Sequence, residues 1–223
     1  ILDEIVEMIA KSKRSCLVGV GTTYYVALFG QYMFSSLAKE SLMAISSDEF
    51  AALSNADGNS FVLALSQSGE TYDTISAIKY AKGKGASTAA IVNVMGSSLS
   101  RLVDKIVLQG SGPEICVIST KAALAQMIIL IRIGLKLAQK KKVISRHEHE
   151  KSVSTLRELP GIIQTILNER SGFIHRISHE YYKIKHWLYL GRGVYYPIAL
   201  ESALKMKEVA YVHAEGMPGG FLK

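Results

Sequence analysis

The sequence predicts an α/β fold, a three-layer αβα sandwich in which a five-stranded parallel sheet lies between two layers of helices. Two observations lead to this prediction. Five strand-length apolar runs occur in the first half of the chain, and helical stretches separate them. Parallel neighbours need crossover connections, which are usually helices that cover the faces of the sheet. The predicted strands are residues 16–20, 42–45, 61–65, 88–92 and 105–109.

Apolar periodicity predicts the helices around these strands. One precedes the sheet at residues 2–10, and the longest, at 120–140, closes the unit. A polar helical connector, rich in histidine and glutamate, follows from about residue 144. The remaining helices are predicted at residues 24–37, 48–53, 73–84 and 98–103.

The chain also contains an internal repeat. Residues 17–40 resemble residues 188–210, since each segment has an apolar strand, Gly-x-Gly, paired tyrosines and an apolar helix. A duplication with a period of roughly 170 residues would start a second copy of the fold near His186. We expect the chain to be part of a longer protein, because half a domain would leave an apolar sheet edge unpaired. The predicted segments are a first domain at 1–142, a helical connector at 143–185 and the incomplete beginning of a second domain at 186–223.

Composition limits the classes of function. The net charge is +7, but its excess lies largely at the lysine-rich end of the long helix, where no aromatic residues are interleaved to stack bases. No apolar run reaches the roughly 18 residues that span a bilayer. We therefore expect no nucleic-acid partner, no membrane partner and a cytoplasmic location. Cys16 and Cys116 lie far apart in apolar settings, which favours buried reduced thiols over a disulfide. The histidine spacings indicate no metal site.

A serine- and threonine-rich segment, SQSGET, directly follows the third strand. It leads into the helix that begins near Asp73, where free N–H groups and the helix dipole favour an anion. The segment lacks lysine, so a phosphate monoester such as a sugar phosphate fits better than a nucleoside triphosphate with magnesium. A simple helix cap is the alternative, because Ser and Thr also stabilise helix starts. The candidate ligands are Ser66, Gln67, Ser68 and Thr71.

Two further loops place hydroxyl groups at the same edge of the predicted sheet. Thr22 and Thr23 follow the first strand, and Ser119 precedes the long helix. The first loop resembles a dinucleotide fingerprint only weakly, because Tyr24 stands where a third glycine should be. Ligands bind beyond the carboxyl ends of strands in parallel sheets, so these loops are candidate ligand-binding segments.

A line of charges lies on the predicted helix that begins near Pro197. Glu201, Lys205 and Glu208 are spaced i, i+4 and i+7, which places them along one side of an otherwise apolar helix. Such a line needs a polar ligand or a partner when the helix is buried. The spacing therefore favours catalysis or substrate contact over a structural ion pair.

These motifs together resemble a known family. LALSQSGETYDT, ISTKAALAQ and LGRGVYYPIALESALKMKEVAYVHAEG are similar to the isomerase half of the glutamine:fructose-6-phosphate aminotransferases, which is built from two flavodoxin-like sugar-isomerase (SIS) domains. The serine-rich loop is shared by SIS domains generally, whereas the third motif is more specific to the aminotransferases and their close sugar-phosphate relatives.

The resemblance implies a reaction that converts fructose 6-phosphate and glutamine-derived ammonia into glucosamine 6-phosphate, in hexosamine biosynthesis, without a cofactor. It implies that Glu208 moves a proton between carbons 1 and 2, and that Glu201 and Lys205 line and orient the sugar. It also implies a homodimer and a glutaminase domain in the same full-length chain. The implied substrate contacts are Thr22, Thr23, Ser66, Gln67, Ser68 and Thr71 at the sugar phosphate, and Val117 and Ser119 at the sugar.

Two alternatives stay open at this stage. One is a non-catalytic SIS module that binds a sugar phosphate as a regulatory ligand, although such a sensor needs no line of proton-transferring groups. The other is a sugar-phosphate isomerase or deaminase that works without a glutaminase domain. Phe221 stands where the family commonly has a glutamate, and the family's later histidine and lysine lie outside this sequence. We therefore expect the segment alone to be inactive in the full reaction.

Overall fold

A computed structural model describes residues 1–222 and confirms the predicted α/β fold. Five strands form a parallel sheet in the order β2-β1-β3-β4-β5. In this order the chain turns in opposite directions on either side of β1 and β3, and the carboxyl ends of strands at such a point are where ligands usually bind in this class of fold. The strands are β1 (Arg14–Gly19), β2 (Leu42–Ser46), β3 (Ser60–Ser66), β4 (Ser87–Val92) and β5 (Lys105–Leu108).

Helices cover both faces of the sheet and create two apolar cores. Neighbouring residues of one strand point to opposite faces, so that Leu17 packs in one core and Val18 in the other. Helices α1, α2 and α6 supply the first core, and α3, α4 and α5 the second. Their bounds are α1 (Leu2–Lys11), α2 (Thr22–Ala38), α3 (Phe50–Leu53), α4 (Tyr72–Gly83), α5 (Ser98–Leu102) and α6 (Thr120–Lys140).

Helix α6 is long and apolar enough, by length and composition, to cross a membrane. Half of its apolar stretch is buried within the protein, and Leu130, Ile133 and Leu137 pack in the first core. This burial is typical of the central helix of a folded domain.

The last third of the chain begins with a long helix. Helix α7 (Arg146–Tyr181) begins with a capping box, in which the Glu148 N–H donates to the Ser145 hydroxyl and the Ser145 N–H donates to the Glu148 carboxylate. Strands β6 (His186–Gly191) and β7 (His213–Pro218) then pair in parallel around helix α8 (Tyr195–Ala210). A short 3-10 helix covers Gly219–Phe221. The proposed division into two domains and a connector stays a prediction.

Two details differ from the sequence analysis. Helix α2 begins at Thr22, two residues earlier than predicted, so both threonines lie in its first turn. The expectation of two buried thiols was wrong for Cys116, which is exposed because the segment after β5 runs over the surface. Cys16 is partly buried in β1, and burial raises the pKa of its thiol to about 11.

We expect Gly30 in α2 to be essential for the packing of the first core. A Cβ atom there would lie 2.7 Å from Leu17 Cδ1 and 2.9 Å from Leu130 Cδ1, and both leucines are fully buried. Gly30→Ala should therefore lower the free energy of unfolding by about 1–2 kcal/mol, despite the better helix propensity of alanine. Denaturant titration measures this change.

The matched control is Gly172→Ala in α7, where a Cβ would contact nothing within 4 Å. Because only the helix propensity changes there, this variant should gain about 0.5–1 kcal/mol. Equal effects of the two substitutions would contradict the packing argument.

Candidate functional site

Helices α2, α4 and α6 are among those that begin at the carboxyl edge of the sheet, and their first turns define the candidate site. Helix α2 follows β1, α4 follows β3, and α6 follows the segment after β5. In none of them does the N-cap side chain make a capping hydrogen bond, although Thr71 and Ser119 stand at two of these positions. The N–H groups of the first turns have no intrahelical partner, and they favour an anion. The side chains at these N-cap positions therefore do not act as capping acceptors.

The segment between β3 and α4 forms a compact loop around its own hydroxyl groups. Ser66 Oγ lies 3.0 Å from Thr71 Oγ1, and it accepts a hydrogen bond from the Gly69 N–H at 3.0 Å. Ser68 Oγ accepts from the Glu70 N–H at 3.2 Å, which leaves its own proton free to donate outward. The loop thus presents neutral hydroxyl donors beside the N-terminus of α4.

Gly69 fixes this loop against the next helix. Its φ is +68°, and a Cβ atom there would lie 2.1 Å from Ser97 Oγ. The Gly69 carbonyl accepts from the Leu99 N–H at 2.9 Å, and the Glu70 carboxylate accepts from the Ser98 N–H at 2.8 Å. Only glycine fits this close approach with a left-handed backbone.

The two threonines of α2 are engaged in different ways. Thr23 Oγ1 donates to the Val20 carbonyl at 2.8 Å and accepts from the Val20 N–H at 3.0 Å, so it shapes its own loop. Thr22 Oγ1 donates to Glu201 at 3.1 Å and accepts from Lys205 at 3.0 Å. Thr22 therefore joins α2 to the charged line of α8, 179 residues further along the chain.

The Lys205 ammonium group is the centre of the charged line. Its Nζ lies 2.6 Å from Glu208 Oε2 and 3.3 Å from Glu201 Oε1. It also donates to the Ile118 carbonyl at 2.6 Å, in the segment before α6. With Thr22 included, four oxygen atoms from three parts of the chain surround this one cation. The three side chains of the charged line are only 13–30% exposed. The expectation of a largely buried helix was wrong, because only Pro197, Ala199 and Ala203 of α8 are buried and Val209 is 57% exposed.

Glu201 has an oxygen atom that nothing in the described chain satisfies. Its Oε2 is buried and has no hydrogen-bond partner among residues 1–222. Burial raises the pKa of Glu201 above its usual value, and the nearby Lys205 opposes this effect. Burial also raises the pKa of Tyr25, with the charge of Glu201 adding to it. A buried, partly unsatisfied carboxyl group is suited to a hydrogen bond with a polar ligand.

The other predicted contacts lie around these groups. Ser119 has a left-handed backbone, with φ 49°, at the start of α6. Val117 is 89% exposed in the segment that leads to it. The side chain of Gln67 is partly buried, and its carbonyl accepts from the Asn93 N–H at 2.9 Å. The sequence analysis missed the Ile118 carbonyl, because a backbone acceptor leaves no signal in residue type. Residues 1–222 contain no cluster of three or more potential metal ligands.

Comparison with known proteins gives a family and several relatives. A family model described as "SIS domain" matches residues 8–131, which is more than half of the chain. Glutamine–fructose-6-phosphate aminotransferase [isomerizing] from Caldanaerobacter subterraneus subsp. tengcongensis is 39% identical over 97% of this chain. The enzyme of the same name from Methanococcus maripaludis is 39% identical over the whole chain. The chain spans 36% of the length of each of these two relatives.

Solved structures agree with this assignment. The C-terminal domain of glucosamine-fructose-6-phosphate aminotransferase from Francisella tularensis matches all of this chain with a TM-score of 0.92 and 34% identity, over 63% of its own length. Glucosamine-6-phosphate deaminase from Thermotoga maritima matches 97% of this chain, over 65% of its own length, with a TM-score of 0.68 and 22% identity, which shows a shared fold. From the matching family model, the aminotransferase relatives and the shared architecture, we conclude that the chain belongs to the SIS domain family.

Proposed function

We propose that this chain is the sugar-phosphate-binding isomerase part of an enzyme that makes glucosamine 6-phosphate from fructose 6-phosphate and glutamine-derived ammonia. One observation carries the proposal: the starts of α2 and α4, which have no side-chain cap, lie at the carboxyl edge of the sheet, and Thr22 connects this edge to the partly buried Glu201–Lys205–Glu208 line. The first feature suits a phosphate, and the second suits proton transfer on the attached sugar. The names of the relatives support the choice of substrate.

The phosphate group would bind in the loop of Ser66, Gln67, Ser68 and Thr71, at the N-terminus of α4. Hydroxyl and N–H donors would hold its oxygens, and the helix dipole would add a favourable field. Thr22 and Thr23 lie at the neighbouring helix start, with their hydroxyls already committed to Glu201, Lys205 and Val20. We therefore propose that these two threonines shape the pocket as well as contacting the phosphate directly.

Glu208 would act as the base that moves a proton between carbons 1 and 2 of the sugar. Its Oε2 lies 2.6 Å from Lys205 Nζ, and this ion pair fixes the position of the carboxylate. Lys205 would orient the carboxylates rather than move protons, because four oxygen atoms already surround it. Glu201 would use its free oxygen for a hydrogen bond to the sugar, and Val117 and Ser119 would contact the sugar from the segment before α6.

The longer protein would carry the remaining functions. As the family resemblance of the sequence implies, a glutaminase domain of the same full-length chain would supply ammonia, and the protein would work as a homodimer in the cytoplasm. The buried charged line favours this enzyme over a regulatory sugar-phosphate sensor, because a sensor needs no buried carboxylates beside its ligand.

Calorimetric titration of this chain tests the substrate assignment. Fructose 6-phosphate should bind and unphosphorylated fructose should not, because the helix start recognises the phosphate. Ser68→Ala should weaken binding about tenfold, the loss expected for one hydrogen bond to a charged group. Glu208→Gln should leave affinity within about threefold, because its role lies in the proton-transfer step.

Ser178→Ala is the matched control, since Ser178 bonds only to its own helix α7 on the exposed surface. Equal binding of fructose and fructose 6-phosphate, or an unchanged affinity in Ser68→Ala, would contradict the proposed phosphate loop.

The raised pKa of Glu201 predicts a pH-dependent stability. Below its usual value of 4.5 the carboxyl is protonated in both the folded and the unfolded chain. As pH rises through the raised folded pKa, ionisation of the buried group costs stability, and this cost is absent in Glu201→Gln. The difference in Tm between variant and wild type should therefore shift in favour of the variant as the pH rises above 4.5. Glu158→Gln on exposed α7 should show no such trend, and a flat difference for Glu201→Gln would refute the assignment.

A further inference from the structure

We infer that Gln126 and Gln109 are positioning residues: their side-chain amides form a hydrogen-bonded relay that holds the segment 110–119 in place beside the sugar half of the site. The expected effect of the relay on sugar-phosphate binding rests on the proposed function, whereas its expected effect on the segment rests on the geometry alone. The relay lies outside the charged line and outside the phosphate loop.

The relay begins inside the protein. Gln126 is fully buried in α6, one turn from both Ala123 and Leu130 of the first core. Its Nε2 donates to Gln109 Oε1 at 2.9 Å, and Gln109 Nε2 donates to Ser111 Oγ at 2.8 Å. Gln109 is itself buried, directly after the end of β5. Two amides thus connect the core side of α6 to the first residues of the segment.

The relay continues into the end of β4. The Ser111 N–H donates to Asn93 Oδ1 at 3.2 Å, and Asn93 Nδ2 donates to the Gly112 carbonyl at 2.7 Å. The Asn93 N–H in turn donates to the carbonyl of Gln67 in the phosphate loop at 2.9 Å. The beginning of the segment is therefore tied to both the core and the phosphate loop.

Packing does not explain a glutamine at position 126. An apolar side chain of similar length would fill the same space without the cost of burying an amide. Gln126 Oε1 has no hydrogen-bond partner within residues 1–222, so the buried amide is only half satisfied. The contact that it does make, with Gln109, is the one that leads to the segment.

The segment needs such an anchor because of its sequence. Gly110 and Gly112 have φ values of +66° and +69°, and glycine gives the chain many alternative conformations. The far end is held separately, since the Ile118 carbonyl accepts from Lys205 and the Ala122 N–H donates to Glu114 at 3.2 Å. With both ends fixed, the exposed stretch between them keeps one orientation.

The test distinguishes an effect on sugar recognition from an effect on phosphate recognition. Gln126→Met keeps the length of the side chain but cannot donate, and Gln109→Met breaks the same relay at the sheet edge. Calorimetry on this chain compares fructose 6-phosphate with inorganic phosphate. Each variant should lower the ratio of the affinity for fructose 6-phosphate to the affinity for inorganic phosphate roughly fivefold, which corresponds to the loss of about one hydrogen bond. The affinity for inorganic phosphate itself should not change.

Hydrogen–deuterium exchange of the unliganded chain gives a second readout. Amides of residues 110–119 should exchange faster in both variants, and those of the loop 66–71 should not. The control is Ile133→Val, which creates a small cavity on the buried side of α6 and leaves the relay intact. The double variant should match the single ones, because all three break one relay.

The outcomes distinguish the two proposals. Unchanged exchange at 110–119, or acceleration of equal size in Ile133→Val, overturns the relay. If the wild-type chain binds neither ligand, the proposed function fails, and exchange alone still decides whether the relay holds the segment.

Discussion

The Lys205 ammonium group is the interaction on which the site depends. It joins α8 to the start of α2 through Thr22 and to the segment before α6 through the Ile118 carbonyl. Removing one partner of a buried ion pair typically costs about 3–5 kcal/mol, because the other charge is left uncompensated. The cation therefore needs at least one of its two neighbouring carboxylates. The proposed structural role of Lys205 and chemical role of Glu208 are consistent with this geometry.

The parallel sheet explains why the starts of α2, α4 and α6 lie together. Every strand of the sheet ends at the same edge, so the starts of α2, α4 and α6 lie near one another although they are far apart in the sequence. Neutral hydroxyl groups and backbone N–H groups can hold a phosphate without adding a cation. Lys205 pairs with the carboxylates of Glu201 and Glu208. Under the proposed function, phosphate binding at α4 is thus separate from proton transfer at α8.

The strands were predictable because each is a short, nearly continuous apolar run; all seven residues of β3 are buried. Strand β7 was missed because HAEGMP alternates polar and small residues and has no apolar run. The charged line of α8 was predictable from local spacing. Its partners were not, since Thr22 lies 179 residues away and Ile118 contributes only a backbone oxygen. Gln126 gave no signal for the same reason: its partner, Gln109, is 17 residues away on another element.

The most direct test of the central claim is an NMR titration of backbone amides with fructose 6-phosphate. If the sugar phosphate binds at the carboxyl edge of the sheet, between the start of α4 and the charged line of α8, the largest shifts fall on residues 66–73. Smaller shifts are expected near residues 117–121 and 201–208. Shifts confined to the lysine-rich end of α6, or spread evenly over the surface, would contradict this claim.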